Sequence, residues 1–231
     1  MNRLFDSILS LDKSLFLSLN GQHNPFWDAT MVFFTGTGIW MLFYLSIIWF
    51  ILKRYRSKAL VIIFLLALSI LISDQMSGLV KDTVQRLRPT HDPGISQLVH
   101  HVVTQGGTYG FFSSHASNSF ATAMFTALLF RNRRYSLLIF FWACMISYTR
   151  IYLGLHYPGD LLAGMLFGLL VGYGCFKLLV LLECNYLTLS TPKLTEIHLK
   201  EKEFWYIFLV FSVTVLITLL IASRMVHYNW I

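Results

Sequence analysis

The stretch Thr149-Arg-Ile-Tyr-Leu-Gly-Leu-His-Tyr-Pro-Gly-Asp160 closes one apolar run, about 135–155, and leads into the next, about 161–182. Pro158 and Gly159 mark the turn, because proline breaks a helix interior and glycine accepts tight backbone geometry. Each run is close to the ~20 residues that a helix needs to cross a ~30 Å hydrocarbon core. Working outward, four more such runs follow the same logic: about Met31–Leu52, Lys58–Val80, Ser113–Phe130 and Phe204–Ser223. Of the 231 residues, 56% are hydrophobic and 13% charged, which is more apolar surface than a soluble chain of this size buries. The sequence therefore predicts an all-α, polytopic membrane bundle of about six transmembrane helices, one domain over residues 1–231. Its motif-bearing core covers about 74–165, and residues 204–223 add a C-terminal helix.

Residues 1–22 place Leu4, Phe5, Ile8, Leu11, Leu15 and Leu19 at helical spacing, while Asp6, Asp12 and Lys13 make the segment too polar to span. The expectation is an amphipathic helix lying in the membrane interface, with no signal-peptide cleavage pattern. Asn24-Pro25 ends it, and Trp27 follows as an interfacial aromatic. The formal net charge is +7, yet no basic tract of the kind that binds nucleic acid is present. The cations are instead distributed by side. Loops 53–58, 131–134 and 177–202 hold four, three and four Lys and Arg, eleven in all, against seven on the other side. Three of those seven (Lys81, Arg88 and Arg150) are site candidates, which leaves four. The richer side is expected to be cytoplasmic, so the candidate site faces outward, toward the periplasm of a two-membrane bacterium. Cys144, Cys175 and Cys184 are odd in number, sit in apolar surroundings and show no C-x-x-C spacing, so packing is their expected role.

Three pieces of sequence carry chemistry. In the quoted stretch, Arg150 can hold an oxyanion, His156 can attack or shuttle a proton, and Asp160 can fix the histidine's tautomer. If Asp160 accepts from His156 Nδ1–H, the lone pair is left on Nε2. Zinc fits this cluster poorly, because its neighbours are Lys and Arg and Asp160 is the one obvious carboxylate ligand, so neither metal nor cofactor is expected. In Lys81-Asp-Thr-Val-Gln-Arg-Leu-Arg88-Pro89 the cations are seven apart, which would set both on one face of a helix that Pro89 ends. Asp74 lies seven residues earlier on that face, placed either to pair with a site cation or to hydrogen-bond a neighbouring span. Ser113-Ser114-His115 opens a span, where unpaired backbone N–H groups attract an anion; Ser113 also suits an N-cap. Ala116, Ser117, Ser119, Ala121 and Ala123 give that span a small face, as in a centrally packed helix. His91, His100 and His101 fall in the 90–112 loop, where solvent exposure is expected.

Together these pieces resemble the type-2 phosphatidic acid phosphatase family, which shares its site architecture with the vanadium haloperoxidases. The family motifs are K-x6-R-P, P-S-G-H and S-R-x5-H-x3-D. Here the first is complete at Lys81, Arg88 and Pro89; the second reads Phe112-Ser113-Ser114-His115; the third reads Thr149-Arg150, His156 and Asp160. The departures are Phe112 for Pro, Ser114 for Gly, and Thr149 for Ser. The resemblance implies phosphate ester or anhydride hydrolysis through a phosphohistidine. His156 would be the nucleophile, Asp160 its orienting partner and His115 the acid, with Lys81, Arg88, Arg150, Ser113 and Ser114 binding phosphate. It also implies a lipid phosphate substrate, a membrane-embedded enzyme, and no nucleic acid or obligate protein partner. The layout of the N-terminal segment, with Leu19-Asn20-Gly21 and His23–Asp28, is similar to small bacterial members that include lipid A phosphatases. Lipid A dephosphorylation, 4′ before 1, is the leading expectation. Undecaprenyl diphosphate and phosphatidylglycerophosphate are the rival substrates, and the 90–112 loop is the expected discriminator. A non-catalytic transporter or binding protein for anionic lipids is the alternative of another class; it needs no His156–Asp160 pair.

Overall fold

The computed structural model describes residues 3–102, 106–186 and 193–228. Its helices are α1 (Arg3–Asn20), α2 (Pro25–Thr35), α3 (Met41–Tyr55), α4 (Ala59–Val84), α5 (Ser114–Phe130), α6 (Arg133–Tyr152), α7 (Pro158–Tyr186) and α8 (Glu201–His227). Among the described residues the only bridge between extended segments joins Leu87 to Tyr109, so the fold is all-α. Three stretches are long and apolar enough to cross a membrane: Thr37–Val84, Pro158–Cys184 and Glu201–His227. The first of these bends at Arg56, whose φ of 44° separates α3 from α4.

The run Met31–Leu52 is not the single span its composition predicts. α2 stops at Thr35, Gly36 is extended, and a short 3₁₀ turn over Thr37–Trp40 leads into α3. Gly36 and Gly38 interrupt the helix-forming residues there, and Trp40 Nε1 secures the break by donating to Phe34 O at 2.8 Å. The break has a use, since it sets the Thr35 hydroxyl at the edge of the site described below.

α5 is the central helix, with α4, α6 and α7 packed around it. Its 17 residues fall short of a typical span, and its shielded position means that little of it needs to be strongly apolar. α7 carries Gly164, Gly168 and Gly172 on the face toward α5. A Cβ at Gly168 would lie 2.2 Å from Ser117 O, and one at Gly172 2.5 Å from Ala121 O. The two backbones thus meet directly, which any side chain at these positions would prevent. Leu162, Leu166 and Leu170, offset by two residues from the glycines, point outward.

One end of the bundle is closed by polar clamps. Lys58 Nζ meets Glu183 Oε1 at 2.6 Å with both groups buried, and Arg54 Nε meets Glu203 Oε2 at 2.7 Å. Tyr55 OH donates to Leu129 O, and Leu199 N–H to Phe130 O. Residues 54–58, 129–130, 183 and 199–203 therefore share an end. Cys175 packs in the core as expected, but Cys144 and Cys184 stand exposed on outward faces.

At the opposite end, α1 carries an outward stripe of Ile8, Leu11, Leu15 and Leu19. The side chains of Leu4 and Phe5 lie outside the described residues. Asp12, Lys13, Phe16 and Asn20 turn inward against the loops of the site.

Candidate active site

The site forms where four chain segments end together. α6 closes at Tyr152, Gly154 turns with φ of 75°, and Leu155 N–H and His156 N–H both donate to Arg150 O. Pro158 then starts α7 at a position where its missing N–H costs nothing. Asp160 falls in the first turn of α7, where the helix dipole favours negative charge. The turn folds Asp160 back, so that its Oδ2 accepts from Tyr157 N–H at 3.1 Å. Ser113 N–H donates to Asp160 O at 3.1 Å, which locks the start of α5 onto the start of α7.

Lys81, Arg88, Ser114, His115, Arg150 and His156 line one cavity of about 670 Å³. Lys81 Nζ donates to Ser114 Oγ at 2.6 Å and to Ser77 Oγ at 2.9 Å. Arg150 Nη1 donates to Thr35 Oγ1 at 2.6 Å, and its buried Nε has no hydrogen-bond partner. Arg88 Nε donates to Tyr109 O at 3.1 Å. None of the three cations pairs with a carboxylate at ion-pair distance among the described residues. His115 opens onto the cavity, whereas His156 is 2% exposed.

Several expectations need correction. Lys81 and Arg88 do not share a helix face: α4 ends at Val84, Gln85 is left-handed, and Arg88 is extended, its N–H donating to Thr108 O. Arg88 reaches the cavity from a loop. Ser113 takes the cap role: its N–H donates to Asp160 O and its hydroxyl accepts from Ala116 N–H at 3.4 Å. Ser114 keeps a position at the cavity, where its first-turn N–H lacks a helical acceptor. The His156–Asp160 contact is long: Nδ1 stands 3.5 Å from Asp160 Oδ2 and makes no hydrogen bond. Asn118 Nδ2 donates to Asp74 Oδ1 at 3.5 Å, the neighbouring-span alternative. His100 is half-buried, with its Nε2 2.9 Å from Asp28 Oδ1 and its ring stacked on His23, while His91 and His101 are exposed. Residues 103–105 of the 90–112 loop lie outside the described residues.

Burial, followed by the charges of Arg88, Arg150 and Lys81, holds His156 well below the ordinary histidine pKa. Its neutral, lone-pair form is therefore the resting one. Nδ1 faces Asp160, which leaves Nε2 as the nitrogen available to the cavity. The arrangement is an anion pocket with an unprotonated imidazole at its wall, the constellation of a phosphoryl-transfer hydrolase.

Residues 58–183 match the PAP2 superfamily, and the chain belongs to it. It is thus a lipid phosphate phosphatase, a membrane hydrolase. Over 175 residues it is 45% identical to a lipid A 4′-phosphatase of Bacteroides thetaiotaomicron, covering 74% of this chain and 76% of that one. Over 188 residues it is 34% identical to a lipid A 4′-phosphatase of Porphyromonas gingivalis, covering 80% of each. The crystal structure of Aquifex aeolicus LpxE is similar with a TM-score of 0.59 and 25% identity, covering 72% of this chain and 95% of that one.

The sequence reading missed Arg86, which it left among the ordinary interfacial cations. Arg86 Nη1 donates to Asp160 Oδ1 at 2.7 Å and Nη2 to Asp12 Oδ2 at 2.6 Å. A signal did exist. Asp12, Phe16 and Asn20 recur every four residues and give α1 a second face that the leucine stripe does not explain.

Proposed function

We propose that this phosphatase removes a phosphate from lipid A, the 4′-phosphate in preference to the 1-phosphate, at the outer face of a bacterial inner membrane. The observation that carries the reading is the continuity of one cavity. From Lys81, Arg88 and Arg150 it runs on between Met41, Ile47, Ile48, Leu66 and Ile70, so that a phosphate and an apolar chain fit in one space. The similarity to two lipid A 4′-phosphatases selects the lipid. Reading α3 to α8 as six spans fits the three long apolar stretches with α5 and α6 packed among them, and the eleven-to-four charge bias supports a cytoplasmic clamped end.

In the reaction, His156 Nε2 attacks phosphorus in line and the P–O bond to the lipid breaks. Its electron pair goes to the departing oxygen, which takes a proton from His115. Lys81, Arg88, Arg150 and the N–H groups that open α5 hold the equatorial oxygens, where charge builds in the transition state. Asp160, beside Nδ1, stabilises the positive charge left on the phosphorylated imidazole. Water then attacks the phosphohistidine as His115 takes its proton, which releases phosphate and restores both histidines. The fixed cations neutralise the phosphate without a metal.

The test is phosphate release from purified lipid A, undecaprenyl diphosphate and phosphatidylglycerophosphate, with mass spectrometry of the lipid A product to assign the position lost. Preferential loss of the 4′-phosphate is expected; faster turnover of either other lipid would replace the substrate assignment. Binding without turnover of any lipid would favour an anionic-lipid carrier. His156→Ala should abolish turnover of every substrate. His115→Ala should spare p-nitrophenyl phosphate more than lipid A, since an aryl oxygen leaves without much protonation. The reverse pattern would exchange the two roles.

A further inference from the structure

We propose that Arg86 and Asp12 are positioning residues for Asp160, and that α1 reaches into the site to hold the carboxylate facing the nucleophile. The proposal rests on the reading of His156 and Asp160 as catalytic.

Asp160 is 0% exposed, and its long contact with His156 does not fix it. What fixes Oδ1 is Arg86 at 2.7 Å. The guanidinium is itself held on two more sides. Its other nitrogen donates to Asp12, and its Cζ lies 4.3 Å from the centre of the Tyr157 ring. Its backbone is anchored by Gly110 N–H, which donates to Arg86 O at 2.8 Å. A planar fork that spans two carboxylates sets the angle between them, which a single ammonium charge does not.

Asp12 closes the loop. Its Oδ1 accepts from Gly159 N–H at 2.8 Å, one residue before Asp160. A Cβ at residue 159 would come within 2.7 Å of Asp12 Oδ2, so the glycine lets α1 approach this closely. α1 thus grips Asp160 twice, through its side-chain partner and through the backbone beside it. Arg86 does not line the cavity, and both of its terminal nitrogens are committed to carboxylates, so it is not a fourth phosphate ligand. A second tether offers a built-in control. Lys13 Nζ meets Asp92 Oδ2 at 2.6 Å and docks the same helix without touching Asp160.

The experiment compares Arg86→Gln, Arg86→Lys, Asp12→Asn, Lys13→Ala and Asp160→Asn in full-length enzyme, with kcat, KM, the pH profile and thermal unfolding measured for each. Arg86→Gln should lower kcat by about 10- to 100-fold with KM little changed, the usual cost of removing a group that orients a catalytic one. It should also move the acid limb of kcat/KM to higher pH, because an unpaired Asp160 carboxylate then favours protonated His156. Arg86→Lys should recover part of the loss, and Asp12→Asn should show a smaller loss with the same shift. Lys13→Ala should leave the limb in place. If Arg86→Gln does not fold, Arg86→Lys and Asp12→Asn carry the same comparison. Wild-type kcat and pH profile in Arg86→Gln and Asp12→Asn, or an equal limb shift in Lys13→Ala, would overturn the inference. An active Asp160→Asn would instead overturn the catalytic reading beneath it.

Discussion

α4 has a lysine at each end, about 35 Å apart at the usual rise per residue, and the two are treated in opposite ways. Lys58, at the start, is buried against Glu183, and nearby Arg54 is paired with Glu203. Arg134 is likewise paired with Glu201. Lys81, in the last turn, meets only serine hydroxyls and faces a cavity that Arg88 and Arg150 share. A cation already neutralised by the protein is architecture. One left without a carboxylate, in a shared cavity, is held for a ligand that brings the negative charge. Arg86 stands at the site end but belongs to the first kind, since two aspartates satisfy it.

Substitution at the two ends should break this comparison if it is wrong. Arg150→Ala removes an unpaired cation and should cut kcat/KM by about 10²- to 10³-fold, the scale for one lost transition-state donor, with little change in stability. Steady-state kinetics beside a thermal melt would check it; a large stability loss would make Arg150 architecture too. Glu183→Ala should do the opposite. It strands buried Lys58 and removes the acceptor of Leu194 N–H, so unfolding in detergent should become easier by about 3–5 kcal/mol while kcat/KM stays within about two-fold.

The smallest expected effect concerns pH. Because burial and three cations depress the His156 pKa, the imidazole remains deprotonated as pH falls through 6.5 and keeps its lone pair. The log of kcat/KM should show no acid-side fall there beyond the ionisation of the substrate phosphate itself. A fall in free-enzyme kcat/KM on the acid side with its midpoint at about 6.5 would mean that His156 is solvated and that the cations do not act on it; a basic-side limb would report His115 instead.

Much of this site was legible because its parts are local. Arg150 in the last turn of α6, His156 in the connection and Asp160 in the first turn of α7 are eleven residues of one chain reversal, so spacing alone brings them close. The errors came where a local rule was carried past a change in backbone. Seven residues return to the same helix face only if the helix continues, and Gln85 in the left-handed region ends it before Arg88. The span drawn through Met31–Leu52 ignored Gly36 and Gly38 because average hydropathy does not register two glycines. The cap role of Ser113 was local and legible, whereas its backbone partner, Asp160 O, is 47 residues away. Arg86, Asp12 and Asp160 could not be joined from spacing, since the contacts cross 74 residues in each direction.

The glycine stripe of α7 has a consequence for how the chain tolerates change. Along this one helix, neighbouring positions answer to different constraints. At 164, 168 and 172 the backbone of α5 occupies the space where a side chain would go, and at 162, 166 and 170 nothing does. A saturation library read out by expression and activity should trace a comb over these residues. Its teeth at the glycines would admit no replacement, and its gaps at the leucines would accept any apolar residue. Because α5 opens with His115 and α7 with Asp160, each tooth also fixes the spacing of the chemistry, so alanine there should cost turnover before it costs folded protein.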